Sequence, residues 1–438
     1  MMWAPANLAR LVAWFLALLD STCRAFVWRC ARRLPGDLRA PDALPAWWLG
    51  DDETPPVAIV TGAGSGIGRA TAKRLHALGA RVAVVCATLE EAEATSARIV
   101  EEEAAEAGTG TGLMSGAGSR RKRSATPVAF GADLRDGAAI DALVQALDAD
   151  RRTAADAVRC VVHCAGVMRC SFSRVPRSGL EETAAVNAVA PALLTRALAA
   201  RGSDAPRSPP LRVVTVGSFT HRAVTAREMR RWIAWVDRTR STTADGSDPA
   251  ARRAESVAAE TQSRATTRGV GAYVPATAYA CSKTAATMFT HALREDVDEY
   301  GDANEDEDGD GYVTLKRRAD RRRACARRLL CPVLADPGLV DTEINREWPS
   351  ALRLLYVVAA RWLGLLAAPE DAAATVCRAC FLPPDAGDHA ADEARGGNAR
   401  AAPYLFGAKG ARLAPSRLVA DADAREACAR ALERWAKL

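Results

Sequence analysis

From residue 56 onward, short apolar runs and amphipathic stretches alternate along the chain. "VAIV" (57–60) is bounded by Pro and Gly, as expected of a strand buried on both faces. "IGRATAKRLHALG" then places Ile67, Ala70, Leu75 and Leu78 on one helical stripe and stops at Gly79, a good C-cap. "RVAVVC" (81–86), "PVAF" (127–130), "VRCVVHC" (158–164), "LRVVTV" (211–216) and "CPVLA" (331–335) continue the strand series. Helical stretches near 90–107, 136–149 and 178–200 separate them, and another opens at 275. Six such alternations predict an α/β fold of Rossmann type, a doubly wound parallel sheet. Ligands of that fold bind outside the carboxyl ends of the strands, so the residues just after each strand carry the chemistry.

Three stretches break the pattern. Residues 108–125, 241–266 and 301–328 are polar or charged and lack the apolar content to bury a core, so they read as flexible inserts. A single catalytic domain over 56–438 is therefore expected, preceded by a distinct segment over 1–50. That segment holds an apolar core from Leu11 to Leu19, too short to span a bilayer of ~30 Å as a helix. Extended through Val27 it can anchor to a membrane or lie in its interface. Arg24, Arg29, Arg32 and Arg33 follow it and keep the remainder cytosolic, which favours attachment to the endoplasmic reticulum. A plastid or mitochondrial targeting peptide is the alternative.

Charge and cysteine content narrow the classes. The chain has 59 basic and 53 acidic residues, a net charge of +6. Its basic runs, "SRRKRS" and "KRRADRRRACARR", carry no interleaved aromatics, so no nucleic-acid partner is expected. Twelve cysteines in 438 residues do not make a disulfide framework. Cys377 and Cys380 form a C-x-x-C inside an apolar helical run with no second ligand pair, so no metal site is expected. "DEDGDGYVTLKR" (306–317) imitates a calcium loop, with Asp306, Asp308, Asp310 and Gly311 in register. Arg317 stands where the bidentate carboxylate belongs, so an acidic solvated insert is favoured.

"TGAGSGIG" (61–68) lies between the first strand and the first helix. Gly62 permits a sharp turn, Gly66 lets backbone approach a pyrophosphate, and Gly68 lets helix and strand pack closely. In "PATAYACSKTAATMFTHAL" (275–293), Tyr279 and Lys283 stand one helical turn apart on one face. That pair alone is common by chance. A cation so placed lowers the pKa of a phenol and suits it to general acid/base work.

The spacing T-G-x-x-x-G-x-G resembles the short-chain dehydrogenase/reductase family, and further motifs follow in its order over nearly all of 56–438. Asp133-Leu134 resembles the adenine-contacting "DL". Asn187 resembles the helix Asn of the catalytic tetrad, Ser218 its Ser, and Tyr279 with Lys283 its Y-x-x-x-K. "DPGLVDTEINR" resembles the turn that holds the nicotinamide end. The resemblance implies cofactor contacts from Gly62, Ser65, Gly66, Ile67, Gly68, Asp133, Leu134, Ala165, Tyr279, Lys283, Pro337, Gly338, Val340 and Thr342. It implies that Ser218 binds the substrate oxygen, that Asn187 holds a relay water, and that Lys283 bonds the nicotinamide ribose. Several segments resemble the retinol dehydrogenase and WW-domain oxidoreductase branch, with "VNAVAPALLT" and "FTHRAVTAREM" most like plant FOREVER YOUNG-type oxidoreductases.

That branch implies NADP(H), with NAD(H) as the alternative, and a lipophilic alcohol/carbonyl substrate such as a retinoid, steroid or lipid aldehyde. A membrane surface and a second copy of the chain are the other expected partners. Two departures stand out. The family's N-N-A-G is "HCAG" here, with His163 read as a packed core residue, and Ala87 replaces the Arg that marks NADP in many relatives. The HCAG change, with the three inserts, keeps open a different class of function, a cofactor-binding scaffold for protein interaction or redox sensing. "ALRLLYVVAARWLGLL" (351–366) is expected to cover the substrate cleft and touch membrane.

Overall fold

The computed structural model describes residues 5–31, 43–49, 55–109, 125–153, 157–201, 210–241, 273–299, 330–382, 404–407 and 411–436. Both basic runs, the calcium-like loop and nearly all of the three inserts lie outside them. Six strands form where the apolar runs predict: β1 (Val57–Thr61), β2 (Arg81–Cys86), β3 (Val128–Gly131), β4 (Val158–His163), β5 (Leu211–Val216) and β6 (Leu330–Asp336). A two-stranded ribbon, β7 (Leu339–Val340) with β8 (Leu366–Ala367), stands apart. Two short strands, β9 (Tyr404–Phe406) and β10 (Ala411–Arg412), extend the main sheet past β6.

The eight-stranded sheet runs β10-β9-β6-β5-β4-β1-β2-β3, parallel throughout except for the β9–β10 pair. Chain order reverses between β1 and β4, the switch point where a doubly wound sheet opens its binding crevice. Side chains alternate across the sheet. Val57 and Ile59 enter one core, while Ala58 and Val60 enter the other. The second core is closed by α2 (Gly66–Ala77), α3 (Leu89–Thr109) and a late helix over Pro369–Phe381.

The first core is covered by α4 (Gly137–Ala149), α5 (Ala190–Arg201), α6 (Ala226–Ser241) and α7 (Pro275–Glu299). After these come α8 (Ser350–Trp362), the late helix just given, labelled α9, and α10 (Ala422–Ala436), which seals that core with a fully buried Trp435. Cys377 and Cys380 lie buried in α9 with free thiols. The stretch Glu182–Arg201 is long and apolar enough to cross a membrane, yet 72% of its window is buried inside the fold. It is a core helix of the domain.

The N-terminal segment packs on the rest of the fold. It forms a helix, α1 (Pro5–Ala31), that packs on the loop after β5 and on α7. Arg10, Trp14, Ala17, Leu18 and Ser21 make its buried stripe. The Arg10 guanidinium donates to the Ala223 carbonyl at 2.6 Å and pairs with Glu228. Val12, Phe15, Leu16, Leu19, Phe26 and Val27 are exposed on the same helix.

Candidate active site

The turn between β1 and α2 has the geometry its glycines predict. Gly62 and Gly66 have φ of 63° and 50°, a region that β-branched residues do not adopt without strain. A Cβ at Gly62 would stand 2.7 Å from Ala165 Cα, and one at Gly68 would stand 2.1 Å from the Gly62 carbonyl oxygen. Ala165 thus presses its backbone against the turn, and its N–H donates to Thr61 Oγ1 at 3.3 Å. Ser65 is the N-cap of α2 with an exposed, unbonded side chain, and Ile67 packs on the second core. These bare amides at a helix N-terminus fit a dinucleotide pyrophosphate.

The turn after β6 closes over the same place. A Cβ on Gly66 would lie 3.1 Å from Thr342 Cγ2, so Thr342 stands above the glycine turn. Val340 pairs with Ala367 in the small ribbon, and Pro337 leads into Gly338 at φ 79°. Asp133 and Leu134 follow β3 as expected, but the Asp133 carboxylate already binds Arg135, whose guanidinium holds it below the ordinary carboxylate range. Leu134 packs against the first core.

Asn187 occupies a π-helical turn, Ala185–Val189, a local widening common at functional sites. Its Oδ1 accepts from the Val167 N–H at 2.8 Å, while Nδ2 donates to the Val167 carbonyl at 2.9 Å and to Ser282 Oγ at 3.0 Å. The amide is thus spent on fixing the loop after β4. A Cβ on Gly166 in that loop would be 3.4 Å from both Asn187 Oδ1 and Lys283 Nζ, so the two groups flank it.

Ser218 follows β5 and caps a short 3₁₀ turn (Phe219–Ala223), with the Thr220 hydroxyl donating to its Oγ at 3.0 Å. Its side chain faces Tyr279 and draws that phenol's pKa down, which brings together two residues from distant parts of the chain. Lys283 is buried, and its ammonium donates to the Val216 carbonyl at 3.0 Å. Burial lowers its pKa to about 8, against the opposing influence of Cys164 and Asp336.

The sequence-based expectation for Tyr279 needs correction here. Burial pushes its phenol above the ordinary value; Ser218 opposes this and the Asp336 charge adds to it. Lys283 is not among the groups that shift Tyr279. Its ammonium faces the Val216 carbonyl, and burial of the phenol sets the direction of the shift.

Other residues escaped the sequence reading. Asp336 is fully buried at the end of β6, where it accepts from the Gly338 N–H at 2.9 Å and from the Tyr404 hydroxyl. Burial raises its pKa to about 6, with Arg222 and Lys283 among the groups pulling it down. An acid closing an otherwise apolar strand, "CPVLAD", was its one sequence signal. Glu91, in the first turn of α3, reaches the glycine turn, since a Cβ on Gly64 would meet its Oε1 at 2.1 Å. Tyr356 of α8 packs on the same core as Tyr279, beside Trp348. His163 is a core residue as read, buried and 2.8 Å from Thr195 Oγ1, and burial lowers its pKa to about 3.

Comparison with known proteins follows the same lines. A family model described as short chain dehydrogenase matches residues 56–113. Polyprenol dehydrogenase of Mus musculus is 31% identical over 358 residues, spanning 80% of this chain and 77% of that protein. Retinol dehydrogenase 12 of Bos taurus is 29% identical over 165 residues, 38% of this chain and 44% of its own. A solved structure, described as an NAD(P) dependent gluconate 5-dehydrogenase from Beutenbergia cavernae with bound NADP at low occupancy, is 22% identical. It covers 77% of this chain and 92% of its own, with a TM-score of 0.42.

Replacing Gly66 with Val is expected to weaken NADH and NADPH binding more than about tenfold, because a β-branched residue is strained at that φ and presses on Thr342. Titration of cofactor fluorescence reads the change, and unaltered affinity would rule the turn out as the pyrophosphate site.

Proposed function

The chain belongs to the short-chain dehydrogenase/reductase family and is an alcohol/carbonyl oxidoreductase that uses NAD(P), and from that premise we propose that it interconverts a lipophilic alcohol and its carbonyl. The pairing of Ser218 with Tyr279 carries this reading, because it sets two hydroxyls near each other at the strand ends in a fold that also buries Lys283. Bound nicotinamide dinucleotide supplies or accepts the hydride. In the reducing direction Tyr279 gives a proton to the carbonyl oxygen, and its raised pKa keeps the phenol loaded for that donation; the reverse step starts from the phenolate so formed. Ser218 hydrogen-bonds the same oxygen as charge develops on it. Lys283 contributes positive charge beneath the site and would hold the cofactor ribose. Asn187 acts as a positioning residue through Val167 and Ser282. Gly62, Ser65, Gly66, Ile67, Gly68, Ala165, Pro337, Gly338, Val340 and Thr342 line the cofactor groove, with Asp133 and Leu134 at its adenine end.

The substrate class is supported by apolar surroundings and by two relatives whose names are polyprenol and retinol dehydrogenase. The outer faces of α1 and α8 expose Val12, Leu16 and Phe26, and Leu354, Val358 and Trp362 (85% exposed). Contiguous exposed apolar surface marks an interaction site. We read both faces as lipid-facing, at an endoplasmic reticulum membrane with the catalytic domain cytosolic. The scaffold alternative has little left to support it, because His163 turns into the core.

A second reading concerns the cofactor. The branch resemblance favours NADP(H), but the charges near the adenosine ribose favour NAD(H). Segment 87–93 reads Ala-Thr-Leu-Glu-Glu-Ala-Glu, with no cation to meet a 2′-phosphate. The Glu91 carboxylate at Gly64 would repel that phosphate and can accept from ribose hydroxyls instead.

Two measurements check these readings. Tyr279→Phe is expected to cut kcat at least about a hundredfold while leaving cofactor affinity within about twofold, and retained turnover would dismiss Tyr279 as the acid/base. Glu91→Lys is expected to tighten NADPH relative to NADH about tenfold or more; an unchanged affinity ratio would free Glu91 of any part in the choice.

A further inference from the structure

We infer that Trp14 forms a wall of the substrate pocket, so that the N-terminal helix is a working part of the active site and not only an attachment segment. This rests on the reading of Tyr279 as the acid/base. The Trp14 ring packs on the Tyr279 ring, with centroids 5.7 Å apart and planes tilted by 56°. Trp14 is 7% exposed, and its indole N–H has no hydrogen-bond partner among the described residues. Ser21 and Thr22 on the same helix satisfy their hydroxyls with the carbonyls of Ala17 and Leu18. A buried unpaired donor costs free energy that an oxygen acceptor recovers.

The helix is held in place independently of any membrane. Arg10, one turn before Trp14, is bonded to Ala223 and paired with Glu228, which fixes α1 over the 3₁₀ turn that Ser218 caps. Tyr356 of α8 is partly buried against the same core as Tyr279, and it packs edge-on against Trp348 at 5.2 Å. The phenol is thus bordered by α1 and α8, each apolar on its outer face. A ligand beside Tyr279 meets aromatic and aliphatic surface plus one spare N–H donor. That chemistry suits an elongated apolar molecule with its oxygen at one end.

The test uses the full chain in detergent micelles, which removes any effect of membrane attachment. Dodecanal and butanal serve as substrates with NADH or NADPH. Trp14→Ala is expected to raise KM for dodecanal about tenfold or more, with kcat, cofactor affinity and KM for butanal within about twofold. Trp14→Phe, which keeps a ring and loses the N–H, should recover part of the dodecanal KM, the remaining deficit measuring the lost donor. Unchanged KM for dodecanal, or an equal loss for both aldehydes and for cofactor binding, would overturn the inference. If the unaltered chain reduces neither aldehyde, the functional reading fails instead. Amide hydrogen exchange still reads the docking then. Arg10→Ala and Trp14→Ala should speed exchange at 219–223 and 275–283, and unchanged protection there would overturn the placement of α1.

Discussion

The ammonium of Lys283 donates to the carbonyl of Val216, and that bond ties helix α7 to the end of strand β5. The lysine is almost wholly out of water, so the site works under a desolvation constraint that reaches its neighbours. Lys283 is pushed down toward neutrality, Asp336 is pushed up to about 6, and Tyr279 is pushed above its ordinary range. Proton-transfer groups whose pKa values approach the working pH are the ones suited to acid/base chemistry. Burial brings Lys283 and Asp336 closer to that condition, and it makes Tyr279 a phenol that holds its proton until an oxygen needs it.

The fold supplies the rest by topology. Strands β1, β4, β5 and β6 all end at one edge, so each loop that follows delivers one part of the groove. β1 gives the glycine turn, β4 gives Ala165 and Gly166, β5 gives Ser218, and β6 gives Asp336 and the turn to Thr342. Close backbone approaches at Gly62 and Gly68 hold the glycine turn in register, where no side chain fits without displacing a neighbour. The π-helical turn at Asn187 spends a whole amide on Val167, which keeps the β4 loop from drifting.

The parallel strands were legible in sequence because burial on both faces writes them as unbroken apolar runs. The prediction of 81–86 and 211–216 matches β2 and β5 residue for residue. Strand β9 was invisible, since three residues, "YLF", carry no period and gain their partner from distant β6. The site motifs were legible by order and spacing, but their electrostatics were not. Whether Lys283 faces Tyr279 or a backbone carbonyl depends on packing, and so does the reach of Glu91 back to Gly64. The docking of α1 was hidden because both sides of that helix are apolar; Arg10, pairing with Glu228 far along the chain, and Ser21 mark the buried stripe.

The ionisation of Lys283 in the free protein tests this account most directly. Lysine side chains labelled with ¹³C and ¹⁵N can be titrated by nuclear magnetic resonance, with Lys283→Arg assigning the signal. The account predicts a midpoint at about 8. A midpoint near the unperturbed value of about 10.4 would mean that the ammonium is solvated and the site is not organised by burial.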